Sequence, residues 1–182
     1  MKLFICKITG KEIFTDASKY ELVDDAYYIV KGKIEASSNE IDESAIGGNK
    51  SAEGGDEEAA EVHVAIVSSL VNSCKLEENV PIASKKDFKG KFSAYCKKIT
   101  GFVKEESPDR LDHVKSAMQK KAMEIIGDFG TYQWYAAEDD GFDCDGAPIP
   151  HKTINSDSKK GDQVGDVCEI IVWKDGVREE KC

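Results

Sequence analysis

The side chains that could do covalent chemistry are few and scattered. Three histidines, His63, His113 and His151, carry all the imidazoles of the chain. A catalytic base must stand within hydrogen-bond reach of the proton it takes, and none of the three belongs to a recognisable local nucleophile–base motif. His63 falls in an alternating, strand-like stretch and His113 in a helix-like one. Structural roles are expected for them, and no hydrolase, transferase or redox turnover is expected of the chain: it reads as a non-enzyme. The six cysteines stand at 6, 74, 96, 144, 168 and 182. No C-x-x-C pair occurs and no histidine lies at zinc-finger spacing, so zinc is not implied and reduced, cytosolic thiols are the direct reading. Cys182 stands apart: it ends the sequence in a charged tail, where it is expected to be exposed and able to oxidise or bridge two chains.

Ligand-binding signals are of three kinds. The run Ile46-Gly47-Gly48-Asn49-Lys50-Ser51 has the glycines of a phosphate loop but not the G-x-x-x-x-G-K-[ST] spacing, nor a strand before it, which excludes nucleotide binding there. The acidic run Glu138-Asp139-Asp140-Gly141-Phe142-Asp143-Cys144-Asp145-Gly146 offers hard oxygen donors for calcium. With Gly146 at the sixth place of an EF-hand loop, Asp143 and Asp145 fall at three and five. Gly141 and Lys152 then occupy the first and twelfth places, where carboxylates are required, so the EF-hand frame fails. Weak, loosely organised calcium binding and a merely solvated acidic loop both remain open, and no ligand set follows from the spacing. The third signal is basic: Lys85, Lys86, Lys89, Lys91, Lys97 and Lys98 surround a single acid, Asp87. Such a cluster is either a solvated face or a local positive field for an acidic partner.

The elements that must position these groups follow from periodicity. Residues 1–35 hold strand-like runs: Met1–Ile8 ending at Thr9-Gly10, then Glu12-Ile13-Phe14-Thr15-Asp16, then residues 27–34 with their aromatic and β-branched side chains. Residues 36–61 are acidic, small and poor in large apolar groups, and are expected to be a flexible loop. Strand alternation resumes at Val62, Val64 and Ile66. Over 84–129 the spacing predicts two helices. Phe88, Phe92, Tyr95, Cys96, Ile99 and Val103 mark one apolar stripe, Leu111, Val114, Met118, Ala122, Ile125 and Phe129 the other. Ser107-Pro108 between them suits an N-cap and a first helical position, and so short a link makes a hairpin. Gly90 and Gly101 interrupt the first helix at about 1 kcal/mol each relative to alanine, which predicts a kink or mobility. Residues 131–135 and 168–173 read as strands, 174–176 as a turn, and 138–166 as a long surface loop.

The chain is thus expected to be one α+β domain of 182 residues, with a mostly antiparallel β core from 1–35, 62–83 and 131–182. A hydrophobic fraction of 40% against 33% charged residues suits a soluble protein. No apolar run approaches the roughly 18 residues of a membrane helix and no signal peptide is apparent, so a cytoplasmic location without membrane contact is expected. A net charge of −10 argues against nucleic acid as the main partner.

Several motifs in order then carry a resemblance. Ile46, Gly47, Gly48, Asn49, Ser51, Ala52, Glu53 and Gly54 are similar to the I-G-G-N-x-S-A-E-G signature of the translationally controlled tumour protein family. Glu12-Ile13-Phe14-Thr15-Asp16 looks like its early E-x-F-[ST]-D segment. The hairpin link Ser107-Pro108-Asp109-Arg110 and the ending Lys174-Asp175-Gly176 … Glu180-Lys181-Cys182 match as well. The 138–166 stretch is longer than the family usually carries. The resemblance implies a β-tent core with a projecting helical hairpin and a flexible loop, together with calcium binding, microtubule association and growth and survival roles. It also implies contact with a small GTPase of the Rheb or Rab type. Glu12 matches a position tied to that contact, and an ordinary turn carboxylate is the other reading of it. Lys86, Lys89, Lys97 and Lys98 are the expected contacts for the acidic surface of tubulin. A monomer is expected, with a dimer through Cys182 open.

Overall fold

The computed structural model describes residues 1–37, 65–78, 82–137, 146–154 and 167–182. The described residues form two antiparallel sheets and a helical hairpin. In the smaller sheet β1 (Lys2–Cys6) lies between β10 (Val177–Lys181) and β2 (Glu12–Thr15). The larger sheet runs β3 (Lys19–Val23), β4 (Tyr27–Ser37), β9 (Val167–Trp173), β8 (Ile149–Ile154), β7 (Tyr132–Ala137) and β6 (Leu76–Glu78), and β5 (Ala65–Ser68) pairs with the far end of β4. The short helix α1 (Ser69–Ser73) follows β5, and α2 (Lys85–Glu106) and α3 (Leu111–Gly127) make the hairpin.

Side-chain alternation along the central strands decides which layer meets which. Tyr28 on β4 pairs with Val172 and faces the smaller sheet, where it closes a four-ring cluster. Phe4 and Phe14 stack at 4.1 Å and meet Tyr20 and Tyr28 edge-on at 5.3–5.7 Å. The neighbouring pair Tyr27 and Trp173 points the other way, toward the hairpin, and Phe92 of α2 lies 5.6 Å from the Trp173 ring. Phe88 reaches Trp134 of β7 at 4.6 Å. The larger sheet is therefore covered on both faces, which is why Ile170, Ile171, Val172 and Trp173 are all buried in succession.

The α+β class and the projecting hairpin agree with the reading of the sequence. Five details do not. Residues 149–154, expected inside a surface loop, form β8 in the interior of the sheet, with Ile149 and His151 buried. Pro148 and Pro150 conceal the strand, since proline within an apolar run argues against one. The charged tail after 176 is β10, its register set by β1; its side chains are solvated beyond Val177, so it shows no apolar alternation. Strand β3 escapes notice for the same reason, being exposed through most of its length. The helix α2 runs unbroken through Gly90 and Gly101, whose missing side chains would face open space; the buried stripe on the opposite face keeps the helix continuous. Finally, Ser107 makes no side-chain cap. Ser107 and Pro108 do hold the N-cap and first positions expected of them, but of a 3-10 turn at Pro108–Arg110 that precedes the second helix.

Gly176 marks the tightest contact between hairpin and core. A Cβ placed there would collide with the Tyr95 hydroxyl of α2 and stand 3.1 Å from Ile99 Cδ1. Tyr95 is buried and its hydroxyl has no hydrogen-bond partner among the described residues. Gly176→Ala should lower stability by about 1–3 kcal/mol, the usual range for overpacking, which is a loss of roughly 2–4 °C in melting temperature per kcal/mol for a chain of this size. Tyr95→Phe, which removes an unsatisfied oxygen, should leave stability unchanged or raised and recover part of the loss in the double variant. A melting curve for Gly176→Ala that overlays the wild type would show that the contact is slack.

Candidate functional site

The basic face of α2 is built from its start. Ser84 and Asp87 form a capping box: Asp87 N–H donates to Ser84 Oγ at 3.3 Å and Ser84 N–H donates to Asp87 Oδ2 at 3.0 Å. The hydrogen bonds from Ser84 hold the Asp87 carboxyl below its ordinary value. Lys85 and Lys86 follow at once in the first turn, the positive end of the helix dipole, where a cation is unfavourable by roughly 0.3–1 kcal/mol. From Phe88 to Lys104 the helix carries five lysines and no acid. The first-turn pair Lys85 and Lys86 opposes local helix stability, whereas Lys104 in the last turn suits the dipole; a broken local rule of that kind is characteristic of a surface kept for binding.

Lys86, Lys89, Lys97 and Lys98 are all exposed, as expected of an outer face, but they do not form one dense strip. At 3.6 residues per turn Lys86, Lys97 and Lys104 share a line opposite the buried stripe. Lys89 leans toward α3, and Lys98 lies on the far flank. Lys86 and Lys97 are roughly 16 Å apart along the axis, beyond the screening length of about 10 Å at 0.1 M salt. The face therefore offers a spaced row of charges.

Glu12 opens β2 opposite Ile5, beside a register shift in the β1–β2 pairing. It is half-buried, and among the described residues its carboxylate has no ion-pair or hydrogen-bond partner. Cys182 is exposed and its thiol is free, while its backbone N–H donates to the Met1 carbonyl at 3.0 Å. The signature residues Ile46, Gly47, Gly48, Asn49, Ser51, Ala52, Glu53 and Gly54, the acidic run 138–145 and His63 lie outside the described residues. Among those that are described, no three His, Cys, Asp or Glu side chains converge as a metal cage would require, and no helix is long and apolar enough to cross a membrane.

Two clusters escaped the sequence reading. Arg110, at the hairpin tip, pairs with Asp25 of the β3–β4 turn and with Asp175 of the β9–β10 turn, the latter at 3.1 Å, and its Nη2 also donates to the Asp25 carbonyl at 2.7 Å. Lys174 joins Asp25 as well, and His113 Nε2 donates to the Asp24 carbonyl at 2.7 Å. Hydrogen bonds from Lys174 and then Arg110 lower the pKa of Asp25. Asp24 and Asp25 both have positive φ, 52° and 54°, giving the tight primed turn that matches strand twist, and aspartate tolerates this region better than most side chains. The partners of Arg110 are 85 and 65 residues away, so no local motif shows them.

The second cluster is buried. Ser68 Oγ lies 2.9 Å from His151 Nε2 and 3.1 Å from Cys168 Sγ, and it also accepts from Leu70 N–H as the N-cap of α1. The distances would suit a nucleophile and its base, but Ser68 is 7% and His151 2% exposed, which seals the pair from a substrate. A consistent bonding scheme has His151 Nε2–H donating to Ser68 and the Ser68 hydroxyl donating to the Cys168 sulfur, with the second imidazole nitrogen unpartnered among the described residues. The Tyr135 ring closes the pocket edge-on at 5.4 Å.

The scaffold thus defines a class: a two-sheet β core with a helical hairpin, which presents exposed lysines on its first helix. The sequence model of the family described as translationally controlled tumour protein matches residues 1–178, and the chain belongs to that family. It is 34% identical to the translationally-controlled tumor protein homolog of Drosophila melanogaster over the whole of both chains. Identity to the Branchiostoma belcheri homolog is 31%, over 96% of this chain and 95% of that one. Among solved structures, the translationally controlled tumor-associated protein p23fyp of Schizosaccharomyces pombe superposes with a TM-score of 0.70 at 25% identity, covering all of both chains. The Caenorhabditis elegans protein follows at 0.69 and 23%, covering 100% of this chain and 99% of that one, a likeness of fold.

Burial lowers the pKa of His151, so the folded state binds its proton less readily than the unfolded chain, where the value is near 6.5. Its contribution to stability is fully present above that value and is lost as pH falls below it toward the folded pKa. The slope is at most about 1.4 kcal/mol per pH unit. His151→Gln, which can still donate to Ser68, should therefore show a flatter stability profile than wild type between pH 7.5 and 5.5 in urea denaturation. Parallel profiles would mean that folding leaves the proton affinity of the imidazole unchanged.

Proposed function

We propose that this protein is a growth and survival regulator that works in the cytoplasm through protein contacts without catalytic turnover, and that its main partner surface is the basic face of α2, binding the acidic surface of tubulin. The observation that carries the reading is the row of exposed lysines on α2, which has no acid between Phe88 and Lys104, in a chain of net charge −10. The spacing of that row makes the attraction moderate and salt-sensitive. Lys89→Glu combined with Lys97→Glu and Lys98→Glu should abolish microtubule co-sedimentation at low salt while leaving the circular dichroism spectrum intact, and 0.3 M salt should weaken wild-type binding. Pelleting of the triple variant at wild-type levels would remove α2 from the contact.

Calcium belongs to this proposal as a weak ligand of the acidic segments, with dissociation constants in or above the roughly 10⁻⁴ M range of loose carboxylate sites. Calorimetric titration should be gradual, and a submicromolar site of fixed stoichiometry would contradict it.

A second reading, a small-GTPase modulator, rests on Glu12. A half-buried carboxylate without an internal partner among the described residues is available to another protein. Glu12→Val should leave the melting temperature almost unchanged and weaken binding to a Rheb- or Rab-type GTPase, measured together with nucleotide release. Equal binding by wild type and variant would leave Glu12 a surface carboxylate only.

A further inference from the structure

The hairpin has a second surface that shares only Lys89 with the lysine row. On the seam between α2 and α3, a groove of about 340 Å³ is floored and walled by Phe92, Cys96, Met118, Ala122, Met123 and Ile126. Met123 is 68% exposed although both neighbouring helices are otherwise well packed. No acidic side chain lines the groove. Lys89 stands at one end and Lys115 at the other, and neither has an ion-pair partner among the described residues. The lining of α2 extends from Phe88 to Thr100 and that of α3 from Lys115 to Ile126, roughly 16–18 Å at 1.5 Å per residue.

We propose that this groove receives a three-turn amphipathic helix of a partner protein, apolar toward α2 and α3 and acidic at both ends. Three turns of helix span about 16 Å, which matches the length of the seam, and helix-in-groove recognition uses anchors at i, i+3 or i+4, and i+7. Methionine side chains adapt to such anchors because they are unbranched and polarizable. The two lysines select carboxylates by charge complementarity, one for each end of the incoming helix. A single-headed anionic amphiphile would leave one lysine unanswered. A second copy of this hairpin would bring the same lysines against these. The proposal shares Lys89 with the tubulin reading but does not rest on it: Met123 and Lys115 lie outside the row tested there.

The test uses the full chain and a synthetic probe, a fluorescein-labelled, end-capped peptide with leucines at i, i+4 and i+7 and glutamates at both ends. A scrambled peptide of the same composition serves as the control. Fluorescence anisotropy should show saturable binding of the patterned peptide alone, with amide shifts confined to α2 and α3 in a ¹⁵N NMR spectrum. Met123→Glu and Lys115→Glu should each weaken it by about tenfold, the scale of an interface anchor, with unchanged circular dichroism. Both residues are exposed, so the fold should survive either change. Microtubule co-sedimentation of Met123→Glu should equal wild type. Equal binding of the scrambled peptide, no effect of Met123→Glu, or absence of amide shifts in the hairpin would each overturn the proposal. Dodecanoate binding in the groove where the peptide fails would assign the seam to an anionic amphiphile instead.

Discussion

The packing of the α2 apolar stripe on the larger sheet is the contact on which the rest of the molecule depends. Phe88, Phe92, Tyr95, Ile99 and Val103 are all at most 7% exposed, and fully burying side chains of this kind contributes roughly 1.5–3 kcal/mol each. The stripe has one way to sit. Phe88 meets Trp134, Phe92 meets Trp173, and Tyr95 comes down on Gly176, where only a glycine leaves room. Once that face is pinned, helical geometry places the lysines outward and turns Lys89 toward α3. Both candidate surfaces are consequences of an apolar contact on the opposite side of the same helix.

A stripe alone would allow the hairpin to pivot, and the Arg110 cluster removes that freedom. Its guanidinium is shared between two turns of the core, with Lys174 and His113 adding further ties to the same β3–β4 turn. Exposed ion pairs taken singly contribute little, typically below about 1 kcal/mol. Here the guanidinium fork, a backbone carbonyl and three segments distant in sequence form one network, and its role is orientation more than gross stability. The four-ring cluster of Phe4, Phe14, Tyr20 and Tyr28 does the corresponding work on the other face, holding the two sheets at a fixed angle.

Charge and burial divide the labour across the hairpin. The outer face of α2 carries cations at the end of the helix where the dipole disfavours them, while its inner face supplies apolar area well beyond what that arrangement forfeits. The seam between the helices is intermediate, apolar but open, with lysine at either end. In the core, the chain Cys168, Ser68, His151 is the opposite case: among the described residues its polar groups are satisfied by one another except for a single imidazole nitrogen. That chain ties β5 and the start of α1 to the two central strands β8 and β9.

What the amino-acid sequence determined by itself was whatever is local and periodic. The spacing of Phe88 to Val103 and of Val114 to Ile125 identified both helices and their buried faces, because a 3.6-residue period is visible wherever one side of a helix is covered. The aromatic and β-branched runs at 27–34 and 168–173 identified the central strands for the same reason, and the signature run at 46–54 with Glu12-Ile13-Phe14-Thr15-Asp16 indicated the family. The exposure of Lys86, Lys89, Lys97 and Lys98 also followed, since those positions fall outside the buried stripe. Tertiary structure alone decided the rest. Strand β8 is held by neighbours on both sides although its own residues, Ile149-Pro150-His151, argue against a strand; β3 and β10 are edge strands whose solvated side chains show no period. Arg110 with Asp25 and Asp175, and Ser68 with His151 and Cys168, are brought together from residues 65 to 100 positions apart, and the groove at Met123 exists because two helices meet at an open seam. Contacts closed by the topology of the chain leave no trace in the spacing of its residues.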